Sequence, residues 1–251
     1  LTRAIPGTEQ KFNTASTGQR GEFTRGLRKK TQRAKNARYL TGVLPSLLLA
    51  STSRFRHELL VRRGLPATAR TPEFAEIPEH DERPMEIARR FSEGKAKSIG
   101  IPGGQDHFII GADQTLEGPD GQLLRKPEDP AERLRLLAGQ THLLHSGLCL
   151  RYVSDQGDET LATVVVSTIL KMRPLERMEI QRYLATEDVT GSVSGYRYEG
   201  LGVSLMEEIE FLPTEFPNGT SAFVGDDSAI VGLPMLALFR LMRLLQGFSD
   251  R

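Results

Sequence analysis

Apolar residues come in short blocks along this chain, and the spacing inside each block points to the element it builds. Leu47–Ala50 is a strand-sized apolar run followed by Ser51-Thr52-Ser53. Arg54–Gly64 then spreads Leu59, Leu60 and Val61 among basic residues, so strand, polar turn and helix are predicted in that order. Glu82–Gly100 reads as a second helix, entered after Pro84, with Met85, Ile87, Ala88 and Phe91 at apolar positions. His107–Gln114 is a buried-type strand that ends on the polar pair Asp113-Gln114, and Pro130–Ala138 is a helix stopped by Gly139. Strands follow at His142–Leu150 and Leu161–Met172, the second rich in β-branched residues. Leu175–Leu184 is a helix, Val203–Glu210 a further strand, and Leu236–Leu245 an amphipathic closing helix. Alternating strands and helices predict an α/β protein. Phe211–Val224 breaks the rhythm with Pro213, Pro217, Asn218 and Gly219, which predicts a surface loop inserted into the domain. A loop of that length is either a flexible excursion or an insertion with a local role.

Charge changes the picture at one end only. The 251 residues hold 33 Lys+Arg and 32 Asp+Glu, a net +1. Residues 1–40 carry ten basic and two acidic side chains, so they are +8 and the remainder is −7. Residues 1–45 also lack a sustained apolar period and are expected to form a basic, disordered extension to one domain over residues 46–251. Three readings of the extension stand side by side. It is an arm for nucleic acid or a membrane surface, an Arg-rich transit segment, or an artefact of where the gene begins. The lone Cys149 excludes an internal disulfide framework and a multi-cysteine metal site, and it suits a reducing, cytoplasmic setting. No apolar run approaches the roughly 18 to 20 residues that a membrane span needs.

Ligands of α/β proteins gather where strands end, and four polar clusters sit at such places. Ser51-Thr52-Ser53-Arg54-Phe55-Arg56-His57 places hydroxyls, backbone N–H groups and guanidiniums at a strand-to-helix turn, which suits phosphate. Ser53 alternatively serves only as a helix N-cap. Glu76 offers a carboxylate to a divalent cation or to solvent. Asp113 closes a buried strand, where solvation alone explains a carboxylate poorly, although it also suits a turn cap. Lys126 precedes Pro127 and is held in extended backbone that can aim an ammonium at a phosphate. Lys95 by itself is an ordinary helix-surface residue. The five histidines show no metal-ligand spacing, and no P-loop, dinucleotide fingerprint, nucleophile elbow or zinc pattern occurs.

Taken in order, these clusters resemble the Maf family of nucleoside triphosphate pyrophosphatases. LLLASTSRFRHELL at 47–60 is similar to the family's LASxSPRRxELL opening, with Arg54 in place of proline and His57 in place of arginine. Glu93-Gly94-Lys95-Ala96, Ile110–Gln114, Arg125-Lys126-Pro127 and Ser146–Leu150 match its further motifs. Glu199-Gly200-Leu201-Gly202 and Gly232-Leu233-Pro234-Met235 complete the series. Ala75 stands where an aspartate commonly precedes Glu76, and Arg125 where a glycine precedes Lys126. The resemblance implies a Maf/ITPase-like mixed sheet flanked by helices, with two lobes around a nucleotide-binding cleft. It implies cleavage of the α–β phosphoanhydride with a Mg²⁺ or Mn²⁺ ion, as nucleotide-pool house-cleaning by a homodimer. Asp113 is then proton acceptor or metal ligand, Glu76 a metal ligand, and Lys95, Lys126, Arg56 and Ser51 bind the phosphates. Gln114, Glu199 and the aromatic Phe55 resemble the specificity set of the 7-methyl-GTP branch. The alternative from another class is a non-catalytic Maf-like interaction protein, acting in cell-division arrest or on nucleic acid through the basic arm.

Overall fold

The structure is a computed structural model and describes residues 46–101 and 103–246. The basic extension and everything expected of it lie outside the described residues. Strands are β1 (Ser46–Ala50), β2 (Thr68–Arg70), β3 (His107–Glu117), β4 (Leu123–Leu124), β5 (Thr141–Val153), β6 (Glu159–Met172), β7 (Met206–Phe211), β8 (Thr214–Glu215) and β9 (Ser221–Ala222). Helices are α1 (Arg54–Arg62), α2 (Pro84–Ser98), α3 (Pro130–Leu137), α4 (Arg177–Thr186), α5 (Asp227–Val231) and α6 (Met235–Gln246). A seven-stranded sheet runs β2-β1-β3-β5-β6-β7, with β4 paired to the far end of β3. β1 is parallel to β2 and β3, and the other pairs are antiparallel, which makes the sheet mixed. The expected α/β class with a helix-flanked mixed sheet is what forms.

Burial on both faces explains why the middle strands read as long apolar runs rather than as alternating ones. Even-numbered residues of β3 and β5, such as Ile110, Ala112, Leu148 and Leu150, pack with Leu60 of α1 and with Ala237, Leu238 and Leu241 of α6. Odd-numbered residues face α2, where Ile109 and Cys149 meet Ala96 and Ile99. A second core joins Leu116 and Leu144, at the other end of β3 and β5, and Leu170 of β6 to α3 and α4.

α2 lies unusually close to the sheet, and two glycines allow it. A Cβ on Gly111 would stand 2.0 Å from the Ser92 carbonyl oxygen, and one on Gly147 would stand 2.0 Å from that of Ala88. The helix backbone therefore rests where side chains normally separate the two layers. Pro84 opens α2 at its first turn, where the missing N–H costs nothing, and Thr115 Oγ1 donates to the Pro84 carbonyl at 2.7 Å.

Some boundaries differ from those the pattern predicts. The strand expected from Val203 starts at Met206, because Leu201–Leu205 winds into a 3₁₀ turn in which Gly202 touches the Arg197 carbonyl. The expected 211–224 loop contains the small antiparallel hairpin β8–β9, with Pro217, Asn218 and Gly219 at its turn. Phe216 anchors that hairpin in the core and is overlain by the Arg240 guanidinium at 4.4 Å.

Replacing Gly147 with alanine forces a methyl into the Ala88 carbonyl. Gly147→Ala is expected to lose about 1–3 kcal/mol in urea unfolding, the usual cost of overpacking. Gly100→Ala, with open space at its Cβ position, is expected to stay within about 0.5 kcal/mol of the parent.

Candidate active site

The close seat of α2 carries Lys95 to Asp113. Lys95 Nζ donates to Asp113 Oδ1 at 2.5 Å and lies 2.9 Å from Glu76 Oε1. Lys95 and Asp113 are buried, at 5% and 6% exposure, whereas Glu76 is exposed. The lysine that reads as an ordinary surface residue in sequence is thus a buried ammonium held between two carboxylates. Burial pushes the Asp113 carboxyl above the usual aspartate range, and the neighbouring Lys95 and Arg56 pull it back. Arg56 also acts on both carboxylates, so two cations stand against two anions here.

Glu76 reaches this place through a local packing device. The ring of Phe74 fills the space where a side chain on Gly94 would be, with its Cε2 2.1 Å from that Cβ position. It also meets Phe91 edge-on at 5.7 Å between centroids. Phe91 and Gly94 are one turn apart on α2, so the loop carrying Phe74 is pinned one turn below Lys95. Glu76 then falls two residues further along, beside the ammonium.

The β1–α1 turn forms the next wall. Ser51 is buried, and its Oγ accepts from the Ser53 N–H at 3.1 Å and from Arg56 Nη1 at 3.3 Å. Ser53 caps α1 by accepting from the Arg56 N–H at 3.4 Å, so the capping reading of Ser53 holds. Arg56 Nε donates to the Gly232 carbonyl at 2.9 Å, which ties this turn to the turn after α5. Gly232 sits there at φ 102°, a left-handed conformation that favours glycine. Burial lowers the proton affinity of the Arg56 guanidinium, while Asp113 and Glu76 raise it.

Gln114 points to the opposite face of β3 from Asp113. Its Nε2 donates to Ser146 Oγ at 3.0 Å and to the carbonyls of Ala229 and Ile230 at 3.1 and 2.9 Å. Phe55 and Glu199 are joined by a residue that the sequence reading passes over. The Arg197 guanidinium lies 4.2 Å from the Phe55 ring centroid, and its Nε and Nη2 are each 3.0 Å from Glu199 Oε1. Lys126 is exposed and has no ion-pair partner among the described residues.

All nine residues singled out in the sequence line one cavity of about 630 Å³: Ser51, Phe55, Arg56, Glu76, Lys95, Asp113, Gln114, Lys126 and Glu199. Arg197, Tyr198 and the 190–194 loop complete its rim. A cavity of that size suits a nucleotide-sized ligand. One end gathers Arg56 and Lys95 with the two carboxylates, another presents Phe55, Arg197 and Glu199, and Lys126 lies on the lining as well. The buried His145, which bonds Ser167 Oγ at 2.8 Å and Glu117 Oε2 at 3.1 Å, is absent from that lining.

Known proteins similar to this chain extend over most of it. The 7-methyl-GTP pyrophosphatase of Bordetella pertussis is 34% identical over 208 residues, which cover 81% of this chain and 94% of that protein. The 7-methyl-GTP pyrophosphatase of Cupriavidus pinatubonensis is 37% identical over 206 residues, 80% of this chain and 93% of its own. That of Xanthomonas oryzae pv. oryzae is 34% identical over 206 residues, 80% and 96% of the two chains. Residues 46–245, nearly the whole described region, match the family described as Maf-like protein, and this chain belongs to it.

Proposed function

We propose that this chain hydrolyses the α–β phosphoanhydride of a modified nucleoside triphosphate, 7-methyl-GTP in particular, to a nucleoside monophosphate and pyrophosphate. The observation that carries the reading is the buried Lys95 between Asp113 and Glu76, set in the wall of a nucleotide-sized cavity with Arg56 and Lys126. The names and coverage of the relatives supply the substrate class. The presence of the whole set favours an enzyme over a non-catalytic interaction protein.

In this reading Arg56 and Lys126 bind the triphosphate and offset charge that builds up on its oxygens, and the Ser51 hydroxyl bonds a phosphate oxygen. Lys95 holds the Asp113 carboxylate in place and keeps it charged against the cost of burial. Asp113 then takes the proton of the attacking water. At the other end, the Phe55 ring stacks on the base and Glu199 accepts from its N–H edge. Gln114, with its amide nitrogen committed to backbone carbonyls, fixes the wall between the two ends.

The oxygen donors also suit a hard divalent cation. Glu76 and Asp113 would hold it, with substrate phosphates and water completing the shell. Among the described residues no group of three or more His, Cys, Asp or Glu side chains is gathered to hold an ion. When bound, Mg²⁺ or Mn²⁺ supplies Lewis-acid stabilisation of the phosphate charge.

Asp113→Asn keeps the shape and removes the base. Pyrophosphate release from 7-methyl-GTP is expected to fall by about 10²–10³, with a near-parental melting temperature. Near-full turnover by the folded variant would sink the assignment. The pH profile tests Lys95 separately. A carboxyl raised by burial places the acid limb of kcat/KM above that of an ordinary aspartate, and Lys95 works in the opposite sense. Lys95→Met is therefore expected to move the limb of its residual activity to higher pH. An unmoved or lowered limb would contradict the coupling.

A further inference from the structure

Arg197 is placed at the base end of the cavity in a way that the reaction scheme does not use. Its guanidinium is a planar cation that lies against Phe55 and donates from Nε to Glu199 Oε1, with Nη2 also 3.0 Å from that oxygen. A second guanidinium, from Arg54, stands 5.5 Å from the same ring, but its side chain is 74% exposed and bridges to Glu58 along α1. The Arg197 side chain is only 21% exposed and lines the cavity.

The Arg197 backbone is fixed independently of that side chain. Its N–H donates to the Tyr183 hydroxyl at 2.8 Å, and its carbonyl accepts from the Gly200 and Gly202 N–H groups at 3.2 and 2.9 Å. Leaving Phe55 by side-chain rotation would break, besides the Glu199 pair, one long bond from Nη1 to the Asp188 carbonyl at 3.5 Å, with the turn unmoved.

The pairing edge of guanine is itself a guanidine-like array of N–H donors on a flat ring, and methylation at N7 makes the ring a cation. A base that stacks on Phe55 and donates to Glu199 asks for two of the partners that Arg197 holds. We propose that Arg197 is an intramolecular competitor for the base subsite, a positioning residue that sets nucleotide affinity by occupying Phe55 and Glu199 in place of a planar, donor-bearing purine. The proposal rests on the pyrophosphatase reading for the ligand class. Removing the competitor then tightens nucleotide binding, whereas removing a mere support for Phe55 and Glu199 would weaken it.

The test is calorimetric titration of the full chain and of Arg197→Met with 7-methyl-GMP and, separately, with tripolyphosphate, which has no base. Arg197→Met is expected to bind 7-methyl-GMP about 3- to 30-fold tighter, the scale of a lost cation–π contact plus a partly exposed ion pair. Tripolyphosphate affinity should stay within about twofold, since the competition is confined to the base end. Arg197→Gln provides a second variant with the same expected direction. Unchanged or weaker 7-methyl-GMP binding in the folded variants overturns the proposal. So does weakening of both ligands, which would make Arg197 a phosphate contact, or failure of 7-methyl-GMP to bind any of the three proteins. Tighter 7-methyl-GMP binding in a chain that releases no pyrophosphate would support the competitor and overturn the pyrophosphatase reading instead.

Discussion

Helix α2 rests on β3 and β5 at Gly111 and Gly147, where even the methyl of alanine would run into the helix backbone. Layers normally separated by side chains here touch through main chain, and the seat of the helix follows from that contact. Lys95 lies one turn beyond the Ser92 carbonyl that covers Gly111, and Asp113 lies two residues beyond Gly111 on the same face of the strand. Their 2.5 Å pairing therefore depends on packing laid down by residues that carry no chemistry. Phe74 in the hollow of Gly94 repeats the device on the outer side of α2 and delivers Glu76.

A buried lysine and aspartate lose hydration that their mutual attraction offsets only in part, so such a pair is weak evidence for stability. Here it makes sense as a fixed electrostatic feature of the cavity. The burial that raises Asp113 also suits it to accept a proton, and Lys95 limits that rise. Lys95 and Arg56 balance the two carboxylates, so a divalent ion would enter together with the phosphates that neutralise it. At the opposite end Arg197 pairs with Glu199 and covers Phe55, the two groups on which the proposed base subsite rests.

The order of elements was legible because the apolar blocks that build the central strands are long and bounded by turn residues. Asp113 and Ser51 stood out for the same reason, as polar residues at the ends of such blocks. β2 escaped notice because Thr68–Arg70 is three exposed residues with no alternation, held as a strand by pairing with β1. The β8–β9 hairpin escaped because its turn residues carry the signal of a loop, while a single buried ring, Phe216, anchors it. Lys95 gave no chemical signal by itself, since its burial comes from two glycines whose close contacts exist only in three dimensions. Arg197 was hidden likewise, being one more basic residue until folding sets it against Phe55, 142 positions earlier in the chain. Motif resemblance recovered Lys95, whereas Arg197 lies between the matched blocks and was not recovered.

The most direct test of this dependence is the turnover of Gly111→Ala on 7-methyl-GTP, at a temperature where circular dichroism shows the variant folded. The added methyl displaces α2 without touching any charged group, and misplacement of reacting groups on the ångström scale costs about 10²-fold in rate. A folded Gly111→Ala protein is expected to lose roughly 10- to 100-fold in kcat. A folded variant with parental kcat would show that the glycine seat of α2 does not set the geometry on which catalysis depends.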